Sequence, residues 1–447
     1  MNAPADPAGA ASTGGGPGSA LPPGAGPAAR GGPAATGGPA ANGAPAANGA
    51  PAADVFAKVA DPRLEEWHFA ESLGLLPFYR ELDGEVGPRS TFRGRPVIML
   101  GSNNYLGLTT DPRVRGAAID AVERYGTGVT GSRLLNGTLP LHRELEELLA
   151  DWVGMEAALV FTTGYSANLG LLGSLVGPDD AAVCDSAAHA SLVDGARYSE
   201  GSLRAFRHNR PNSLRRTLRT WRDRPDAGGV LVAVDGIYSM EGDRAPLVEI
   251  AQLCRDFEAR LLVDEAHAIG VAGPHGAGTA VDAGIRPDLV MGTFSKALAS
   301  CGGFIAGSRA VIEYLKITCR PLMFTASGVP AALASALAAA RIAREEDWRR
   351  DAVAARADQL RAGLRDLGYE AGGMAGSPIV PVHIGDLWQA GELWKALLEQ
   401  GVYTNCAIPP AVPRPLLRTS VMATHTEADI DAALEGFARA RQAVASG

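Results

Sequence analysis

The feature that most constrains the fold is a repeated alternation of short apolar runs with segments of helical periodicity. Runs of this kind lie at 157–161, 181–185, 230–234, 260–263 and 289–291. Strands that are apolar at every position are typical of parallel sheets, whose two faces are both covered by helices. The sequence therefore predicts an α/β fold built on a mostly parallel sheet.

Composition and pattern divide the chain into four parts. Residues 1–53 are almost entirely Ala, Gly and Pro, and because they lack large apolar groups we expect a disordered tail. Residues 54–110 are an N-terminal segment whose first part, 56–80, has a helical pattern. We expect a large domain over 111–335 and a smaller α+β C-terminal domain over 336–447.

Charge and composition exclude several function classes. The chain of 447 residues has a formal net charge of -8 and no basic stripe, which argues against a nucleic-acid partner. No apolar run approaches the roughly 18 residues of a membrane span, so we expect a soluble protein with no span. The five cysteines are far apart, with no C-x-x-C pair, which indicates neither a disulfide framework nor a metal site and fits the cytoplasm.

Polar residues follow two of the early strands, at the edge where parallel α/β sheets bind their ligands. Gly164 and Tyr165 open a helix whose free N–H groups can hold a phosphate, although Thr163 there also suits a plain N-cap. His189 stands at another helix start. It can stack on a flat ring or satisfy local hydrogen bonds, and the sequence leaves both interpretations open.

An acid and a histidine follow the 260–263 strand. Asp264 stands directly after the strand, and His267 comes three residues later. An Asp at such a place can hold a heteroaromatic nitrogen in its protonated form. The alternative is that Asp264 caps the next helix.

Lys296 follows the 289–291 strand, flanked by the hydroxyls of Thr293 and Ser295. Its amine either reaches the surface or is held in an apolar setting that lowers its pKa and makes it a nucleophile. A phosphate cradle, a ring-stacking histidine, an acid for a pyridine nitrogen and an amine nucleophile are the groups that a pyridoxal-phosphate enzyme needs. Taken together, the strand ends predict pyridoxal 5'-phosphate (PLP) as cofactor.

Longer motifs around these residues resemble those of the α-oxoamine synthases. The similar strings are NNYLGL, GSRLLNGTLPLHRELE, TTGYSANL, HASLVDGAR, SMEGDRAPL, VDEAHAIGVAGPHGAG and GTFSKAL. The resemblance runs from about residue 56 to the C-terminus. It implies a fold-type I PLP-dependent transferase that condenses an amino acid with an acyl-CoA and releases CO2, working as a homodimer with a shared active site.

The resemblance also implies roles for individual residues. Lys296 would carry the cofactor as a Schiff base, His189 would stack on its ring, Asp264 would pair with the pyridine nitrogen and His267 with the ring oxygen. The groups implied at the phosphate are Gly164, Tyr165, Thr293 and Ser295, with Thr325 and Ala326 from the neighbouring subunit. The implied substrate residues are Asn103, Ser132 and Arg418, of which Arg418 would bind the amino-acid carboxylate.

Two substrate assignments stay open within the family. Several phrases, among them 206–209 and 319–327, are similar to the serine-using, sphingolipid-forming branch, which favours serine with a long-chain acyl-CoA. The alternative is a branch that uses alanine or glycine. Asn103 is typical of that second branch, and Ile408 stands where many relatives have arginine.

Overall fold

The computed structural model describes residues 54–446. The expected disordered tail, 1–53, lies outside the described residues. The described residues before Pro62 belong to a unit of their own and contain a 3-10 helix, Val55–Val59. All the elements considered below belong to the unit that begins at Pro62.

This second unit alternates strands with helices along most of its length. Its strands are β1 Arg89–Phe92, β2 Arg95–Met99, β3 Ala157–Phe161, β4 Ala181–Asp185, β5 Ser202–Phe206, β6 Val230–Asp235, β7 Arg260–Asp264, β8 Leu289–Thr293, β9 Gly303–Gly307, β10 Glu370–Ala371, β11 Ile379–His383, β12 Val402–Tyr403, β13 Asn405–Ala407 and β14 Leu416–Ser420. Its α-helices are α1 Arg63–Ser72, α2 Pro112–Tyr125, α3 Pro140–Trp152, α4 Gly164–Leu175, α5 Ala190–Tyr198, α6 Pro211–Arg222, α7 Leu247–Asp256, α8 Thr279–Asp282, α9 Arg309–Thr318, α10 Arg320–Met323, α11 Pro330–Glu345, α12 Asp347–Asp366, α13 Leu387–Glu399 and α14 Glu427–Ser446. A further short 3-10 helix spans Pro274–Gly276.

The large sheet has seven strands in the order β3-β9-β8-β7-β6-β4-β5. Strand β9 runs antiparallel to both of its neighbours, and the remaining pairings are parallel. The predicted α/β fold with a mostly parallel sheet is therefore confirmed. The apolar-run criterion missed two strands: β5, whose middle residues are exposed, and β9, which begins and ends with glycine.

Helices cover both faces of this sheet, as the strand β4 illustrates. All five residues of β4 are buried. Ala182 and Cys184 belong to the same core cluster as Leu171 of α4, whereas Val183 lies in a cluster with Leu214 of α6. Because successive side chains of a strand point to opposite faces, a strand covered on both sides must be apolar throughout.

Two smaller sheets accompany the large one. One has the order β1-β2-β12 and the other the antiparallel order β10-β11-β14-β13. Strand β2 pairs in parallel with β12, so that Tyr403 lies opposite Met99 close to the end of β2. In β14, Arg418 lies between Pro381 of β11 and Asn405 of β13. The C-terminal region therefore forms a smaller α+β part beside the large sheet.

The helical pattern predicted over 56–80 is only partly confirmed. Helix α1 ends at Ser72, and Gly74 then adopts a left-handed backbone with φ of 69°. Pro77 follows, and its missing N–H disfavours a continued helix. Trp67 of α1 nevertheless stacks on Phe78, with 5.6 Å between the ring centroids. Within residues 54–446, no helix is both long and apolar enough to cross a bilayer.

Candidate active site

Lys296 lies beside a cavity at the carboxyl end of the large sheet. Strand β8 ends at Thr293, and the chain reaches Lys296 three residues later. The cavity has a volume of about 280 Å³. The predicted site residues that line it are Gly164, Tyr165, His189, Asp264, His267, Thr293, Ser295 and Lys296. They come from the ends of four different strands, which the sheet topology brings together.

The amine of Lys296 is shifted toward its neutral form. Burial lowers the pKa of Lys296 to about 8, and nearby Arg418 lowers it as well, whereas the carboxylates of Asp264 and Asp235 act in the opposite direction. At pH 7 roughly one tenth of an amine with this pKa is neutral, far more than for a lysine with the ordinary value of 10.5. That is the state in which it can act as a nucleophile or accept a proton.

Asp264 is the buried acid of the cavity. It ends β7 and is 3% exposed. Its carboxylate accepts hydrogen bonds from Asn168 Nδ2 at 2.8 Å and from the Ala266 backbone N–H at 2.9 Å. Asn168 Nδ2 also donates to Ser191 Oγ at 2.9 Å. The sequence reasoning missed Asn168, although a buried Asn in the largely apolar helix α4 is the signal that would have found it.

His189 stands at the N-cap of α5, beyond the end of β4. Its Nδ1 lies 2.8 Å from Ser191 Oγ, and its backbone N–H donates to Asp235 Oδ2 at 3.1 Å. Asp235 ends β6 and was not predicted as a site residue. Burial and the neighbouring Asp264 raise the pKa of Asp235, and its Oδ1 has no hydrogen-bond partner among the described residues. Ser191 of α5 thus orients the ring of His189, and Asp235 of β6 holds its backbone.

A series of hydrogen bonds joins His267 to Arg418 of β14. This strand belongs to the four-stranded sheet β10-β11-β14-β13, which is called the small sheet below. The Tyr105 hydroxyl lies 2.7 Å from His267 Nδ1 and accepts a hydrogen bond from Arg418 Nη2 at 3.1 Å. The same hydroxyl donates to Asn103 Oδ1 at 3.2 Å. Burial, aided by Lys296 and Arg418, lowers the pKa of His267 well below its ordinary value, so the imidazole is neutral.

Tyr105 is the third residue that sequence reasoning missed, after Asn168 and Asp235. It stands inside the motif NNYLGL, but nothing in the motif indicated that its hydroxyl would connect two other site residues. Its side chain is fully buried. Arg418 is 5% exposed and also donates from Nε to the Ser239 carbonyl at 2.6 Å. Arg418 and Asn103 are thereby brought next to the cavity through Tyr105.

The start of α4 meets the end of β8 at one side of the cavity. Thr163 caps α4 by accepting from the Ser166 backbone N–H at 3.0 Å. A Cβ at Gly164 would lie 2.7 Å from Met291 Cε and 3.1 Å from Thr293 Oγ1, so glycine lets the helix start approach β8 without displacing these side chains. The hydroxyls of Thr293 and Ser295 lie 2.8 Å apart on the other side. The N-cap interpretation of Thr163 is correct, and it leaves the following N–H groups facing the cavity.

Five predicted residues do not line this cavity. Asn103 and Arg418 are joined to it through Tyr105 and His267, and the other three lie elsewhere. Ser132 forms an isolated antiparallel bridge with Ala326. Thr325 and Ala326 line a second, smaller cavity beside Phe161 and Thr162. The described chain thus places Ser132, Thr325 and Ala326 together, but not with Lys296.

Comparison with known proteins identifies the family to which the chain belongs. The chain matches the model of the aminotransferase class I and II family over residues 95–437. It is 45% identical over 372 residues to the serine palmitoyltransferase of Caulobacter vibrioides, which covers 82% of this chain and 91% of the relative. The chain belongs to the α-oxoamine synthase family. It is also 42% identical over 392 residues to the putative 8-amino-7-oxononanoate synthase 2 of Mycobacterium tuberculosis, covering 86% of this chain and 50% of that protein.

A solved structure shows the same family likeness at the level of the fold. A serine palmitoyltransferase with a PLP internal aldimine superimposes with a TM-score of 0.84 and 37% sequence identity, covering 88% of this chain and 100% of the other. This α-oxoamine synthase is accordingly a fold-type I, PLP-dependent acyltransferase, as the motifs indicated.

The cavity residues of this α-oxoamine synthase fit PLP. The helix start at Gly164 and the hydroxyl of Ser295 offer donors that a phosphate needs. The Thr293 hydroxyl lies beside Ser295 and donates to the Gly302 carbonyl at 2.9 Å. The buried carboxylate of Asp264 suits a protonated ring nitrogen, because a buried charge is costly without an opposite charge. Lys296 offers an amine of lowered pKa for a Schiff base.

Proposed function

We propose that the enzyme condenses L-serine with a long-chain acyl-CoA and loses CO2. A C–C bond forms between the α-carbon of serine and the acyl carbon, the thioester C–S bond breaks and CoA leaves. The bond from the α-carbon to the carboxylate carbon breaks, and the α-carbon takes a proton. The products are an α-amino ketone, CO2 and CoA. The likeness to the Caulobacter serine palmitoyltransferase supports serine and a palmitoyl-length chain.

The observation that carries this proposal is the connection from Arg418 through Tyr105 to His267. It places a buried guanidinium, the group best suited to a carboxylate, beside the cavity that suits PLP. Arg418 is the residue that we assign to the carboxylate of the amino acid. Asn103, which shares the Tyr105 hydroxyl, is assigned to the same substrate.

The chemistry of the reacting carbon depends on the cofactor. Bound PLP supplies an electron sink for the negative charge that develops at the α-carbon of the substrate. Asp264, held by Asn168 and the Ala266 N–H, would keep the pyridine nitrogen protonated. His189 would stack on the ring and His267 would contact the ring oxygen, since both line the cavity. Each of these residues holds a group in place and does not itself change charge.

Lys296 moves the proton. Its amine would hold the cofactor, and it is the basic group of the cavity that would act on the α-proton of serine. With a pKa of about 8 it accepts the α-proton and later returns one to the same carbon. The phosphate would be held by the Gly164 and Tyr165 N–H groups together with Thr293 and Ser295.

We also propose a homodimer located in the cytoplasm, with the active site shared between subunits. In this arrangement Thr325 and Ala326 reach the phosphate of the partner subunit's cofactor, and Ser132 lies at the substrate entrance. Large apolar side chains near these residues support an interface, because Leu135 is 79% exposed and Phe324 is 72% exposed.

Alanine or glycine as the amino acid is the second candidate. Its support is the likeness to the putative 8-amino-7-oxononanoate synthase 2 together with Asn103, a residue typical of that branch. Ile408 weakens the serine assignment, because it stands where many relatives, bacterial serine palmitoyltransferases among them, have arginine.

The two candidates are separated by titrating the purified holoenzyme with Ser, Ala and Gly while the absorbance of the cofactor is recorded. Serine is expected to change the spectrum at the lowest concentration. If serine leaves the spectrum unchanged and alanine shifts it, the serine assignment is wrong. Acyl thioesters of different length are then offered with the amino acid that binds, on CoA and on a carrier protein, and the product is identified by mass spectrometry.

A further inference from the structure

The loop between β6 and α7, residues 236–246, connects the large sheet to the small one. It turns back on itself through a bridge between Ile237 and Arg244. At its tip, the Ser239 carbonyl accepts the Nε hydrogen bond of Arg418 at 2.6 Å. Glu241 lies 3.2 Å from His383 Nε2 of β11. The tip is therefore attached to β14 and β11, the two central strands of the small sheet.

The other side of this loop is attached to the large sheet through His208. His208 Nε2 lies 2.9 Å from Asp243 Oδ2, and His208 Nδ1 lies 3.0 Å from Asp185 Oδ1. Asp185 is the buried last residue of β4, the strand that leads to His189. Asn209 adds two bonds, from its backbone N–H to Asp185 at 2.9 Å and from Nδ2 to Asp243 at 2.7 Å.

This geometry requires a charged histidine. Both ring nitrogens of His208 face carboxylate oxygens, and a carboxylate can only accept, so both nitrogens must carry protons. Burial alone would lower the pKa of His208, but its hydrogen bonds to Asp185 and Asp243 raise it to about 10. The ring also packs edge-on against Tyr238, with centroids 4.4 Å apart. His208 is thus a fixed positive bridge between the strand β4 and the loop.

We propose that His208 is a positioning residue for amino-acid recognition, acting through Asp243 and the loop tip on the guanidinium of Arg418. Each step is a direct contact. The His208 ring binds the Asp243 carboxylate, and the Asp243 backbone carbonyl accepts a hydrogen bond from the Tyr238 N–H at 2.9 Å, which closes the loop. Ser239, next to Tyr238, accepts the hydrogen bond of Arg418. The inference rests on the proposed role of Arg418 at the substrate carboxylate. His208 itself touches neither cofactor nor substrate in this scheme.

The test compares an amine that has a carboxylate with one that lacks it. The holoenzymes of the wild type, His208→Gln and Asp243→Asn are titrated with L-serine and with ethanolamine, and binding is followed by the absorbance of the cofactor and by calorimetry. Glutamine cannot donate to both acids, so His208→Gln is expected to weaken serine binding by about tenfold or more, as for a displaced binding group, and to leave ethanolamine binding unchanged. Asp243→Asn is expected to show the same selective loss.

Controls separate this inference from the function on which it rests. His68→Gln, an exposed histidine on α1, is expected to bind both amines as the wild type does. Arg418→Lys is measured in parallel. If Arg418→Lys loses serine selectively while both His208→Gln and Asp243→Asn keep it, the positioning role is overturned and the proposed function stands. If Arg418→Lys also keeps its preference for serine, the carboxylate assignment fails and the inference with it.

Loss of folding is a separate readout in the same experiment. Thermal unfolding and the cofactor absorbance of each variant are recorded before titration. If His208→Gln does not fold, the result for Asp243→Asn alone tests the proposal. This variant is expected to fold because Asn209 Nδ2 can still donate to the amide oxygen at position 243. Equal weakening of serine and ethanolamine binding in the folded variant would mean a general structural role and would overturn the proposal.

Discussion

The two sides of the active site are built in different ways. On the large-sheet side, Asp264 ends a strand and Lys296 follows another by three residues, so each stands where its own βα unit leaves it. On the small-sheet side, Arg418 depends on Tyr105 and on the Ser239 carbonyl, which are 313 and 179 residues away in the sequence. The cofactor chemistry thus rests on local structure, whereas substrate recognition rests on long-range packing.

This difference predicts how substitutions on each side of the active site affect the enzyme. A substitution on the large-sheet side should reduce the chemical step for every amino acid, because all substrates share the cofactor. A substitution on the small-sheet side should change amino-acid affinity and selectivity while the cofactor stays bound. The predictions below run from the largest expected effect to the smallest.

Removing the lysine should have the largest effect. Lys296→Ala has no amine to hold the cofactor or move the α-proton, so we expect loss of the internal Schiff-base absorbance near the visible edge and no detectable turnover. Absorbance spectroscopy and a product assay check this. A variant that keeps full activity would contradict the mechanism on the large-sheet side.

Neutralising the buried carboxylate of Asp264 should have the second largest effect. Asp264→Asn keeps the shape and the bond from Ala266 but removes the charge that holds the ring nitrogen protonated. We expect turnover to fall by about 10²-fold or more for serine and alanine alike, as for the loss of a preorganised charged group. Steady-state kinetics with both amino acids measure the effect. If turnover fell for only one of the two amino acids, the proposed difference between the two sides of the active site would be wrong.

Tyr105→Phe tests the connection on the small-sheet side. The variant keeps the ring and removes the hydroxyl that lies between Arg418 and His267. Leaving buried polar partners unpaired costs about 1–3 kcal/mol. We expect this cost to appear mainly as a roughly tenfold rise in KM for the amino acid, with an unchanged KM for the acyl thioester. Phe92→Leu, at a buried position on β1, is a control for a simple packing defect.

The pH dependence of cofactor loading should show the smallest effect. Lys296 reacts with the PLP aldehyde as a neutral amine, and its pKa of about 8 lies below the ordinary lysine value. The loading rate of the apoenzyme should therefore rise with pH and level off above about pH 8. Because the Asp264 carboxylate raises the pKa of Lys296, Asp264→Asn should move this midpoint to lower pH. A midpoint near the ordinary lysine pKa would contradict the lowered pKa of the buried Lys296 amine.

Much of the large-sheet side was predictable from the sequence, for a physical reason. Strands covered on both faces leave uninterrupted apolar runs, so the polar residues at their ends are conspicuous, and Asp264, His267 and Lys296 were found in this way. Asn168 was not, because a polar residue inside a helix has many uses and only the folded structure shows that it donates to Asp264.

The small-sheet side was less predictable. Arg418 was assigned by resemblance alone, and no local pattern indicates that it meets Tyr105 or Ser239. In the large sheet, strand β9 was missed as well because glycine at both ends resembles a turn, yet Gly303 is required where a Cβ would lie 2.6 Å from the Gly164 Cα. Contacts of this kind depend on how distant segments pack, and periodicity does not encode them.

The most direct test of the central claim is the release of labelled CO2 from serine. The holoenzyme is incubated with carboxyl-¹³C-labelled L-serine, with and without palmitoyl-CoA, while CO2 and the ketone product are followed by mass spectrometry. The account predicts labelled CO2 only when the thioester is present, in equal amounts with an α-amino ketone that retains the serine side chain. Labelled alanine or glycine yielding product while serine yields none would contradict it.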